Sequence, residues 1–199
     1  MANVNAPFGL RPVRSANGQP YTGAVRIYSV PSSDGTAIFI GDAVKLVGTS
    51  QIINGSPFAD VAQAASGDVM VGVVVGVLQD TRDSLTYRAA STQRRLLVAD
   101  DPDLLFEVQQ SNSGTALTAN DIGLNVNLTV AAGSTATGYS GTVIDNTTEA
   151  TTNTLDVKIV GMVDRPDNDI GSSVSSGTLA SRFLVRINRH VFNNQIAGV

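Results

Sequence analysis

A chain of 199 residues with 42% hydrophobic and 15% charged side chains holds enough apolar material for one packed domain and too little charge for a disordered one. It has no cysteine and a single histidine, His190, which excludes disulfides, thiolate chemistry and multi-histidine zinc sites. The formal net charge of −4 argues against a dedicated nucleic-acid-binding protein.

Lysine stands only at Lys45 and Lys158 and glutamate only at Glu107 and Glu149, so the best charged helix formers are nearly missing. Val, Ile, Thr, Ser, Asn and Gly take their place, a composition suited to strands and turns. Met1–Pro7 carries neither a basic region nor an apolar run and reads as neither signal peptide nor anchor. The longest apolar run, Val69–Leu78, is about half of what a bilayer requires, so no membrane partner is expected.

Residues 1–20 hold Pro7, Pro12 and Pro20, which deny the segment helix and central-strand roles, and they read as an extended N-terminal arm. Residues 21–199 read as a single β domain, divisible into two sub-layers at about 21–98 and 99–199. From Ala24 the β pattern runs to Val30, and Pro31–Gly35 is a turn. Ala37–Ile40 and Ala43–Val47 follow as strands, with Asn54-Gly55 as a second turn signal. Ala59–Ala65 reads weakly as one or two helical turns.

Val69–Leu78 is apolar on both faces and predicts a central buried strand, with Gly72 and Gly76 where another backbone comes close. Leu85–Ala89, Arg94–Ala99 and Leu104–Gln109 are short strands, and Leu117–Asp121 is a short capped turn. Leu124, Val126, Leu128 and Val130 alternate with polar residues and form the clearest half-buried strand. Thr142–Asp145 and Leu155–Val163 follow, then a polar loop over 165–176, then a last core face of Phe183, Val185 and Ile187. Nine to eleven short strands with no strong amphipathic helix predict an all-β fold, a β-barrel or jelly-roll-like sandwich.

No catalytic constellation emerges. His190 lies near the C-terminus beside Arg186 and Asn188, without a Gly-x-Ser-x-Gly elbow, and reads as a surface or interface histidine. Asp100, Asp101 and Asp103, like Asp164, Asp167 and Asp169, lack the EF-hand pattern; they are turn formers or, less in keeping with their Pro and Gly neighbours, a cation loop. No phosphate loop or dinucleotide fingerprint is present, so the chain is expected to be non-enzymatic and to need no cofactor. Arginine with little lysine suits interfaces, because guanidinium pairs bidentately with aspartate.

Two segments carry a resemblance. Asn5-Ala6-Pro7-Phe8-Gly9-Leu10-Arg11-Pro12-Val13, and Ile159–Asn168 followed by Val185–His190, are similar to segments of the tailed-bacteriophage capsid decoration, or cement, proteins. Weaker echoes are Asp34-Gly35-Thr36 with Ile40-Gly41-Asp42, and Asp101-Pro102-Asp103 with Phe106-Glu107-Val108-Gln109. The resemblance implies a virion component made in the host cytoplasm and placed on the outer capsid surface. Its expected partners are the phage major capsid protein and further copies of itself, as a dimer or trimer. A head fibre or other virion structural or receptor-binding component is the alternative. The arm residues Phe8, Leu10, Arg11 and Arg14 are then candidates for capsid binding, and Asp164, Arg165, Asp167, Arg186 and His190 for an interface.

Overall fold

The computed structural model describes residues 3–169, 179–193 and 198. Twelve strands and one short 3-10 turn account for its regular structure, so the all-β class holds. The expected polar loop is described only to residue 169; its remainder, 170–176, lies outside the described residues.

Five strands close a barrel: β2 (Arg26–Val30), β3 (Ala43–Ile53), β4 (Ser56–Gln63), β5 (Gly72–Val77) and β6 (Arg94–Ala99), in the order β2-β4-β3-β5-β6. Four of the five seams are antiparallel. The fifth, β2 with β4, is parallel and consists of the single pair Ser29↔Asp60. So short a seam is reinforced by side chains. The buried Asp60 carboxylate accepts hydrogen bonds from Ser29 Oγ at 2.5 Å, Thr49 Oγ1 at 2.8 Å and Gln51 Nε2 at 2.8 Å.

β3 and β4 form a hairpin through Asn54 (φ 52°) and Gly55 (φ 80°), the left-handed pair that a tight two-residue hairpin requires. That turn corrects the expectation of a helix over Ala59–Ala65. The segment is rich in alanine, but the turn directs it back along β3, and tertiary pairing overrides a weak local preference.

The second body is an antiparallel sheet in the order β1-β7-β12-β11-β8, built from β1 (Arg11–Ser15), β7 (Leu104–Gln109), β12 (Arg182–Ile187), β11 (Val157–Met162) and β8 (Asn125–Val126). A two-stranded ribbon of β9 (Leu128–Thr129) and β10 (Val143–Ile144) accompanies it. The expected continuous strand Leu124–Val130 is therefore split. After Val126 the Leu128 N–H leaves the ladder and donates to the Asp156 carboxylate at 2.9 Å.

β5 explains why Val69–Leu78 is apolar on both faces. Val74 points into the barrel, against Val30, Val44, Val61 and Leu96, while Val73 and Val75 face the sheet. There Phe106, Val108, Ile159, Phe183, Val185 and Ile187 form the larger core. The period of two along a strand thus places one layer of side chains in each core. Gly72 is required by close packing, since a Cβ there would lie 2.3 Å from the Ala99 carbonyl oxygen. Of the residues read from alternation, Leu124 and Val130 are half-buried; Val126, Leu128, Val157, Ile159, Phe183, Val185 and Ile187 are buried. Ile187→Ala is expected to cost about 2–5 kcal/mol, measured by urea denaturation; a loss under about 0.5 kcal/mol would contradict its place in the core.

The N-terminal segment is not a free arm. Arg11↔Glu107, Pro12↔Phe106, Arg14↔Leu105 and Ser15↔Leu104 pair β1 to β7, with a bulge between Pro12 and Arg14. Proline excludes a central strand but not an edge strand, and β1 is the sheet's edge, with Pro12 at its irregularity. Upstream, Leu10 N–H donates to the Gly41 carbonyl at 2.9 Å. Backbone lies on backbone there: a Cβ at Gly9 (φ +73°) would sit 2.4 Å from Gly41 O, and one at Gly41 (φ +95°) 2.3 Å from Phe8 O. These two glycines weld the segment to the barrel.

Candidate functional site

The residues singled out in the sequence divide into four groups. Leu10 is 1% exposed and belongs to the core beside Phe106, so it is not available to a partner; its apolar character serves folding. Arg186 and His190 lie apart from the arm. The Arg186 guanidinium spans the β6–β7 turn, donating from Nε to Pro102 O at 2.9 Å and pairing through Nη2 with Asp103 at 2.8 Å. Arg14 and Asp164 are exposed.

His190 is buried, which corrects its reading as a surface histidine. It bridges in parallel to Met70, and its Nδ1 accepts the Phe192 N–H at 3.1 Å. Burial pushes its pKa below the ordinary value of 6.5, against the opposing pull of Asp100 and Asp101. The folded protein therefore holds the neutral ring, and protonation at Nδ1 would break the bond to Phe192. The unfolded chain binds this proton more readily, so the stability tied to His190 is present above pH 6.5 and declines as pH falls below it. His190→Gln is expected to flatten the fall in stability between pH 7 and pH 5 in parallel denaturation curves; an unchanged slope would show that the ring does not titrate differently on folding.

The fourth group converges. Phe8, Arg11, Arg165 and Asp167 come from opposite ends of the chain and meet on the face of β7 and β12. Their centre is Glu107, which sequence reasoning passed over, buried in a strand flanked by β1 and β12. Arg11 Nη2 reaches its Oε2 at 2.6 Å, Arg165 Nη2 its Oε1 at 2.8 Å, and Arg182 Nη1 approaches Oε1 at 3.8 Å. Asp167 flanks the group, 3.3 Å from Arg165 Nε and 4.0 Å from Arg182 Nη1. Two guanidiniums lie over the half-buried Phe8 ring, Arg11 at 4.9 Å and Arg182 at 5.4 Å from its centroid. Glu107 gave one usable signal, its rarity: one of two glutamates in the chain, it is the one charged residue of the strand Leu104–Gln109, and a buried carboxylate calls for a cationic partner.

Beside this cluster runs a groove of about 430 Å³ between β1, β5 and the 138–141 loop. Ile40 and Val75 give it apolar surface above the buried Leu10 and Val74, and Tyr21 and Tyr139 stand with them. Arg11 and Arg182 bring guanidiniums to it. Such a site can hold an apolar side chain and an adjacent anion. No family model, curated protein or solved structure matches the chain. The groove and its rim present apolar side chains and guanidiniums, which are binding groups. Among the described residues, no three His, Asp or Glu side chains come together as a metal site. Of the aspartates considered for a cation loop, three hold other partners: Asp100 with Tyr28 and Arg26, Asp103 with Arg186, and Asp167 with Arg165.

Proposed function

We propose that this protein is a non-enzymatic decoration protein of a tailed-phage capsid, seated on the outer surface of the head, where it binds the major capsid protein and stabilises its lattice. The observation that carries the reading is the placement of the segments that resemble that family. Residues 5–13, 106–109, 185–190 and 159–168 supply or flank β1, β7, β12 and β11, four adjacent strands of one sheet. The echo at Asp34–Asp42 includes Gly41, which packs on Gly9 of the first segment. The resembling segments near the two ends of the chain thus lie side by side in one sheet, which supports reading them as parts of one scaffold.

A cysteine-free β-domain is insensitive to the change of redox conditions on leaving the cell. Many copies on a repeating shell convert weak contacts into durable attachment. For self-association into a dimer or trimer, the candidate surface is the β3–β4 hairpin, which carries no charged side chain from Leu46 to Ala59 and exposes Leu46, Val47 and Ile52. The test is sedimentation of the purified protein with phage heads. The expected result is saturable binding at a copy number near that of the shell protein, with decorated heads retaining DNA to a higher temperature. Failure to co-sediment at any ratio would reject the reading.

A further inference from the structure

We infer that the groove between Ile40, Val75 and Tyr139 is the docking site for an extended segment of the shell protein that carries an apolar side chain next to carboxylates; this rests on the capsid-decoration reading. Three features select that chemistry. The volume of about 430 Å³ falls within the ~300–1,000 Å³ range of sites that enclose small ligands. Its lining is aliphatic and aromatic, suited to a large apolar side chain.

The charge beside it is unbalanced. Three guanidiniums, Arg11, Arg165 and Arg182, face two carboxylates, Glu107 and Asp167, which leaves one positive charge on a chain whose net charge is −4. Arg182 is where that charge is least satisfied. Its nearest carboxylate oxygens stand at 3.8 and 4.0 Å, beyond hydrogen-bond reach, while its guanidinium stacks on Phe8 and lines the groove. A carboxylate arriving with an apolar neighbour would take the fork geometry that Glu107 leaves unused. Arg11, with a side chain 55% exposed, is the second donor at the rim.

The test uses the full-length chain labelled with nitrogen-15 and three acetylated, amidated pentapeptides: Asp-Phe-Asp-Leu-Glu, Lys-Phe-Lys-Leu-Lys and Asp-Ser-Asp-Ser-Glu. The acidic apolar peptide is expected to shift the amides of Leu10, Gly41, Val75 and Tyr139 saturably, with the other two at least about tenfold weaker, a gap of about 1.4 kcal/mol. Arg182→Ala and Tyr139→Glu should each weaken it at least fivefold while the rest of the spectrum stays unchanged, which shows that the fold is intact. Arg182→Ala should also weaken binding to heads about tenfold. No localised shift at 5 mM, equal binding of the lysine peptide, or equal binding of inorganic phosphate would overturn the inference. If heads still bind the Arg182→Ala protein normally, the groove assignment falls and the decoration reading stands. If the peptide binds as expected but heads never co-sediment, the decoration reading falls, and the shell protein as occupant falls with it.

Discussion

Removal of residues 1–20 is expected to lower the melting temperature by about 10 °C or more, not to leave a stable domain with a weakened grip on its partner. The segment supplies the edge strand β1, with four register pairs to β7, and it supplies Leu10, 1% exposed in the main core. Losing a buried leucine side chain alone costs about 2–5 kcal/mol. Truncation also removes Arg11 from the buried Glu107, which then keeps Arg165 as its close partner. A total near 4 kcal/mol, at about 2–4 °C per kcal/mol for a chain of this size, gives a shift of that order. Leu10→Ala separates packing from strand loss and should account for at least half of the effect. Calorimetry on both variants checks this; a truncated protein melting within about 2 °C of the intact one would show that the segment is dispensable to the fold. Contacts to a partner should therefore be probed with single surface substitutions such as Arg14→Ala, which leave β1 in place.

Arg88→Ala is expected to destabilise the protein by at least about 3 kcal/mol, because this arginine is the clamp that organises the loops on one side of the barrel. Its side chain is 0% exposed. It donates from Nε to Thr92 O at 2.8 Å, from Nη2 to Pro31 O and Asp34 O at 2.8 Å each, and from Nη1 to Thr36 O, with the Asp34 carboxylate 3.6 Å away. Four carbonyls from two loops thus share one guanidinium, and its backbone bridges to Ile38. Each buried acceptor left without a donor costs about 1–3 kcal/mol, reduced for any carbonyl that water can reach. Arg88→Lys should recover only part of the loss, since a compact ammonium with three donors cannot span the same fork. Equilibrium unfolding in guanidinium chloride measures both; Arg88→Lys matching the wild type would show that charge alone, rather than fork geometry, holds the loops.

Neither result was foreseeable from local pattern. Arg88 sits in a segment read as an ordinary short strand, and nothing in Leu85–Ala89 marks one arginine as buried. Its role depends on carbonyls 50 or more positions earlier in the chain. The same holds for Glu107, whose partners Arg11 and Arg165 are separated from it by 96 and 58 residues. The arm shows how a correct physical rule can stop short. Proline does bar a central strand, yet whether an edge position is open to the segment depends on β7 having a free side, which is a property of the assembled sheet.

By itself the sequence determined what short-range chemistry controls. Alternation at Phe183, Val185 and Ile187, the apolar run of β5, the Asn54-Gly55 turn, the Thr118–Asp121 capping box, and the bounds of β6 and β7 all follow from side-chain period and backbone preference within a few residues. The tertiary structure alone decided which strands became neighbours, that β2–β6 close into a barrel, that β1 crosses to the other sheet, and that three arginines surround one glutamate. The physical reason is that strand pairing carries no local signature of its partner. Any half-apolar strand satisfies its own backbone equally well on many edges, and the choice is made by packing, by close approaches such as Gly9 on Gly41, and by buried charges that must find their counterions.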